Sequence, residues 1–167
     1  MIYLKTKRLE IKPITLADKE FVLELLTDET VGKTYMLPEY RNREEAEPLF
    51  LRLVKLSGDE TRYVAGVYLD GRFIGMMNET EVKENQIEMG YAYLPAYYNC
   101  GYATEAFAAV IQYLFSCGFR RVLAGAFEEN PASLRIMEKC GMVKKPRNDQ
   151  IEYRGILHNC VYYAIDK

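Results

Sequence analysis

Apolar and charged side chains alternate with a period of two through TKRLEIKPI, 6–14, which predicts a first strand. Thr15 and Asp18 stand in capping-box positions before an apolar run, and the spacing predicts a helix through about Leu26. ETVGKTYMLPEYRNREE, 29–45, has no period and reads as loop, whereas EEAEPLFLRLVKL supplies a second helix. TRYVAGVYLD and RFIGMMNETEV flank Asp70-Gly71, a dipeptide favoured in tight hairpin turns. QIEMGYAYL, 86–94, is a further strand. Its apolar Ile87, Met89, Tyr91 and Tyr93 share one face and leave Glu88, Gly90 and Ala92 on the other.

The clearest element is a helix over 102–117. Ala103, Ala106, Phe107, Val110, Ile111 and Leu114 draw one apolar stripe, and Gly118 stands at the usual stop position. RRVLAGAF follows as a strand. Asn130-Pro131 then opens a short helix, with asparagine at the N-cap and proline in the first turn, and Gly141 closes it. RGILHNCVYYAID reads as one last strand. This order of elements predicts a mixed α/β sheet.

Composition narrows the class. The 167 residues suffice for one domain, 1–167, and hardly for two. With 22 basic and 24 acidic side chains the net charge is −2, which argues against nonspecific nucleic-acid or anionic-membrane binding. No apolar run reaches the roughly 20 residues of a membrane span, and the first residues lack the apolar block of a signal peptide. The four cysteines, Cys100, Cys117, Cys140 and Cys160, are far apart and there is one histidine, His158. That pattern predicts reduced thiols in a cytoplasmic protein and no metal site.

Just before the long helix comes YYNCGYA, small and turn-prone and without a lysine or arginine. A helix N-terminus has free N–H groups and a partial positive charge, so it can hold an anion without a basic side chain. Asn99, Gly101 and Ala103 give the clearance a diphosphate needs, and Gly101 permits a turn other residues resist. A tight strand-to-helix turn with no ligand accounts for the same residues.

The stretch EMGYAYLPAYYNCGYATEAFA, followed by NPASLRIMEKCGM, resembles the GNAT superfamily of acyl-CoA N-acyltransferases. Within it the chain is most similar to the branch of ribosomal-protein N-terminal acetyltransferases and their small-molecule relatives. The family's pyrophosphate loop, Q/R-x-x-G-x-G/A, is matched by Tyr98-Asn99-Cys100-Gly101-Tyr102-Ala103, and the branch's T-E-A continuation by Thr104-Glu105-Ala106. Asn130, Ser133, Glu138, Lys139, Gly141 and Met142 match the later N-x-x-S…E-K-x-G-F/M segment. The chain departs from the pattern at Tyr98 and Cys100, which replace polar side chains and leave the backbone donors to carry the loop.

The resemblance implies a mostly antiparallel, twisted central sheet flanked by helices, and acetyl-CoA as co-substrate. The implied acceptor is a small-molecule amine or a peptide N-terminus. A protonated amine must lose a proton before it attacks, and Glu88, beside two small residues, is the candidate base. A solvated strand residue, or one paired with a nearby cation, is the other reading of that carboxylate. Tyr91, Ala92 and Tyr93 take the family's role of lending backbone groups to the pantetheine arm and acyl carbonyl. Many relatives protonate the leaving thiolate with a tyrosine seven residues after the asparagine, but here that residue is Met137. The branch offers a serine instead, matched by Ser133, whose hydroxyl equally suits the first turn of its helix. Asn130 serves either as a site residue or as a helix cap.

Tyr35, Tyr40 and Arg41 fall in the loop where the family builds its acceptor pocket. Arg135 and Lys139 are either ribose-phosphate contacts or a solvated helix face, and His158 reads as structural. The last strand and the tyrosine-rich surface suit a homodimer. The alternatives to an acetyltransferase are a non-catalytic acyl-CoA-binding module and, with no Gly-x-Gly-x-x-Gly or Gly-Lys-Ser/Thr turn to support it, a nucleotide-binding domain.

Overall fold

In the computed structural model, which describes residues 1–167, eight strands form one sheet. The elements in chain order are β1 (Leu4–Lys5), β2 (Leu9–Lys12), α1 (Lys19–Thr27), α2 (Glu29–Gly32), α3 (Arg43–Ser57), β3 (Ala65–Leu69), β4 (Arg72–Lys83) and β5 (Gln86–Tyr93). They are followed by α4 (Tyr102–Ser116), β6 (Arg121–Phe127), α5 (Pro131–Lys139), β7 (Val143–Tyr153) and β8 (Ile156–Asp166). The strand order is β1-β2-β3-β4-β5-β6-β8-β7, and every neighbouring pair is antiparallel except β5 and β6.

The two faces of the sheet carry separate cores. On one, Ile87, Met89 and Tyr93 pack with Phe107, Val110, Ile111 and Leu114 of α4 and Met137 of α5. On the other, Ala92, Met76 and Phe73 pack with Val22, Leu25 and Leu26 of α1 and Phe50 and Leu53 of α3. The alternation along β5 thus sends consecutive side chains into different cores. Full burial of a side chain such as Phe107 stabilises by about 1.5–3 kcal/mol.

Local signals set most element ends. Asp18 Oδ2 accepts from both the N–H and the hydroxyl of Thr15, at 2.8 and 2.9 Å, at the start of the first helical segment. Asn42 and Asn130 accept from the N–H groups of Glu45 and Ser133, capping α3 and α5. Asp70 and Gly71 both take positive φ, 48° and 80°, as a two-residue hairpin turn requires.

The structure departs from the sequence pattern in three places. The stretch 29–45 is not all loop, since α2 occupies Glu29–Gly32 with Asp28 as its N-cap. The first strand is shorter than expected and pairs with β1. The C-terminal region holds two strands instead of one. β7, an edge strand exposed on most positions, lacks the apolar alternation that marks a half-buried strand, and it contains Pro146, which an edge tolerates. Because β7 covers it, β8 is an interior strand.

Candidate functional site

Parallel pairing of β5 with β6 runs only from Gln86–Arg121 to Glu88–Leu123. Beyond that rung the strands part, so the β6-facing backbone of Tyr91 and Tyr93 has no strand partner, whereas Ala92 turns its carbonyl toward β4. A cleft of about 660 Å³ occupies the gap. It reaches both faces of the sheet, and its two arms carry different chemistry.

The arm under α4 and α5 begins at the loop 98–101. Asn99 and Gly101 both have left-handed backbone, φ 60° and 78°, which asparagine tolerates and glycine accepts freely. This geometry brings the first turn of α4 to the cleft, where the N–H groups of Tyr102, Ala103 and Thr104 find no acceptor within the chain. Gly101 is the N-cap residue, and it has no side chain to fill the space. Arg8 holds this turn from the outside. Its guanidinium donates to the Cys100 carbonyl at 3.1 Å and to Glu105 at 2.7 Å, and lies 4.5 Å from the Tyr102 ring centroid. Thr6 adds a bond to Glu105 at 2.7 Å. Burial alone would raise the Glu105 pKa, but the bonds from Thr6 and Arg8 outweigh it and hold the carboxyl below its ordinary value.

Ser133 lies on α5 along the same arm, and its hydroxyl is 2.8 Å from that of Tyr91. Tyr91 sends its side chain to the α4 face, where it packs against Phe107 with ring centroids 5.0 Å apart. Burial raises the Tyr91 pKa, against a smaller lowering by Ser133, so the phenol keeps its proton. Tyr93 buries a hydroxyl that has no partner, and burial pushes its pKa well up. A diphosphate and a pantetheine chain suit this arm: unpaired backbone donors stand at one end and an unzipped strand edge runs beside them.

The opposite arm lies on the α1 side. Glu88 is here, largely buried, accepting from the Thr80 hydroxyl at 3.1 Å. Its other oxygen is 3.6 Å from Arg147. Glu88 thus borders the cleft and faces a cation. The Tyr35 ring covers Gly90, its hydroxyl donates to Asn78 Oδ1, and burial pushes its pKa up to about 12. Phe127, Ile151, Cys160 and Tyr162 complete the wall.

Of the residues singled out in the sequence, the cleft gathers Tyr35, Glu88, Tyr91, Ala92, Tyr93, Tyr98, Asn99, Gly101, Tyr102, Ala103, Thr104, Asn130 and Ser133. Three do not reach it. Cys100 turns outward and meets Arg8 through its carbonyl. Tyr40 packs against the α1–α3 core, and Arg41 uses its N–H to reach Glu45. Arg135 and Lys139 also border the cleft, whereas His158 stacks on Phe127 and pairs with Glu129.

Sequence reasoning missed Arg8, Asn78, Thr80 and Arg147. Arg8 carries no local signal, because its partners are 92 and 97 positions away. Arg147 sits in a bulge where Lys145, Pro146 and Arg147 oppose Tyr162 alone, between the pairs Lys144–Tyr163 and Asn148–Val161. Such a bulge re-aims a side chain, and the Arg147 guanidinium lies 3.8 Å from the Tyr162 ring centroid.

The model of the acetyltransferase (GNAT) domain matches residues 8–143. The uncharacterized N-acetyltransferase YnaD of Bacillus subtilis (strain 168) is 32% identical over 144 residues, covering 84% of this chain and 82% of that protein. Among solved structures, a GNAT-family acetyltransferase from Bacillus anthracis superposes with a TM-score of 0.85 at 27% identity, covering 99% of this chain and 98% of the other. The ribosomal L7/L12 alpha-N-protein acetyltransferase RimL, in complex with coenzyme A, shares the fold with a TM-score of 0.84 at 16% identity, covering 99% and 98%.

Proposed function

The chain belongs to the GNAT acetyltransferase family, and on that premise we propose that it moves the acetyl group of acetyl-CoA to a primary amine. The amine belongs to a small molecule or a protein N-terminus and attacks the thioester directly. One observation carries this reading. The β5–β6 ladder ends at Glu88–Leu123 beside a helix N-terminus with unpaired donors, so a thioester held on one face of the sheet can meet an amine from the other.

The roles follow from the two arms. Backbone N–H groups of Tyr102, Ala103 and Thr104 hold the diphosphate, with Tyr98 and Asn130 at its flanks. The unpaired β5 edge at Tyr91 and Tyr93, on either side of Ala92, aligns the pantetheine arm and offers donors to the oxyanion. Glu88 takes the ammonium proton, directly or through water. Acetyl-CoA supplies an activated acyl group whose thiolate, with a thiol pKa of about 8.5, leaves without a strong acid. The Ser133 hydroxyl, 2.8 Å from that of Tyr91, donates a hydrogen bond to that sulfur.

The test is thiol release on mixing the protein with acetyl-CoA and a panel of primary amines. Release that requires both substrates is expected. Failure of millimolar coenzyme A to give a calorimetric binding signal removes the reading at its base.

A further inference from the structure

Resting on the acetyl-transfer reading, we propose that the acceptor is a small monoamine with an apolar, preferably aromatic, body. Its ammonium sits at Glu88 and its body lies against Tyr35, Phe127 and Tyr162.

Three observations on the α1-side arm point the same way. The first is charge. Glu88, Arg147 and Asp149 form one cluster: Arg147 is 3.6 Å from Glu88 and donates to Asp149 at 2.8 Å, and Tyr162 also donates to Asp149 at 2.8 Å. The cluster carries one net negative charge, which a single ammonium neutralises. A second ammonium finds no uncommitted carboxylate, because Asp149 is already held by two donors. The second is the wall. Tyr35, Met36, Phe127, Ile151 and Tyr162 are apolar or aromatic, and the tyrosine hydroxyls among them are spent on Asn78 and Asp149. Thr30, Thr34, Asn78 and Thr80 offer polar groups elsewhere along the arm, but against the aromatic wall itself an aromatic or alkyl body is desolvated without loss.

The third is a clasp. The β7–β8 hairpin reaches across to the segment after α2. There the Tyr153 hydroxyl bonds the Gly32 carbonyl at 2.6 Å and accepts from the Leu37 N–H at 3.2 Å. Arg154 lies against Gly32 and faces Glu39 at 3.6 Å. This clasp ties the hairpin that carries Ile151 to the segment that carries Tyr35 and Met36, so the two sides of the apolar wall are held together.

The experiment compares 2-phenylethylamine with spermidine and methylamine as acceptors in the thiol-release assay. The expected kcat/KM for 2-phenylethylamine exceeds that for each of the others by about tenfold or more. Arg147→Ala, which removes the cluster's cation, shifts the spermidine to 2-phenylethylamine ratio toward spermidine by about threefold. Spermidine or methylamine equal to or better than 2-phenylethylamine in the unaltered protein overturns the inference and leaves acetyl transfer standing. An unchanged ratio in the variant overturns it as well. Absence of release with every amine, while coenzyme A still binds by calorimetry, defeats the transfer reading and this inference together.

Discussion

The hydroxyls of Tyr91 and Ser133 lie 2.8 Å apart and tie the parted strand β5 to the first turn of α5. Tyr91 also reaches the Ser133 carbonyl at 3.2 Å, so the phenol fixes both the backbone and the side chain of that residue. The pair lines the cleft one helical turn before Met137, which is apolar and fully buried. If Ser133 steadies the leaving thiolate, Ser133→Ala lowers kcat by about tenfold with little change in the KM for acetyl-CoA. Tyr91→Phe alone has a smaller effect, and in the double variant the two effects do not add. Additive losses in that cycle separate the two hydroxyls.

Glu88→Gln keeps the shape and the Thr80 contact but cannot take a proton. Turnover should fall by about 100-fold or more, while coenzyme A affinity measured by calorimetry stays within a factor of two or so. A wild-type kcat in this variant removes Glu88 from the chemistry without touching the fold.

Arg8 and Glu105 predict a pH effect whose sign follows from the depressed carboxyl. A group with a lowered folded-state pKa stabilises above its unfolded value, about 4.3, and that stabilisation is lost as pH falls through the folded value. As pH falls below the unfolded value, the clasp on the turn before α4 therefore weakens. Glu105→Gln should cost about 1 kcal/mol at neutral pH and flatten the acid side of the stability curve. Thermal melts of both proteins from pH 3 to 7 measure the difference.

Gly75 offers a test of the sheet beside the cleft. A Cβ there meets the Ala92 carbonyl oxygen at 2.6 Å and the Tyr93 ring at 2.5 Å. Because one of these neighbours is backbone, Gly75→Ala cannot be absorbed by a rotamer change. It should destabilise the fold by about 1–3 kcal/mol and raise the KM for acetyl-CoA, since β5 must shift. Gly71→Ala, where no atom lies within 4 Å, serves as a control for strained backbone without a clash.

How much was legible beforehand depended on the range of the interaction. The stripe on α4, the Asn130-Pro131 start of α5 and the two-faced alternation of β5 all follow from neighbours within about four residues, where periodicity and capping act. The same local runs held the two motifs by which the chain resembles its family, and the cofactor arm grew from them. β7 escaped because an edge strand has no buried face to imprint a pattern, and Pro146 inside it argues for a loop.

The sequence by itself determined most of the segments that coil or extend, which face of β5 carries Glu88, and that α4 starts on small, turn-prone residues. Only the tertiary structure decided that β5 and β6 part after Glu88, that Arg8 grips the turn at Cys100, and that a bulge in β7 sets Arg147 beside Glu88. Those outcomes depend on strand register and on contacts between residues some 60 to 100 positions apart. Side-chain order along a chain encodes periodicity, whereas register is settled by how two separate cores fill at once.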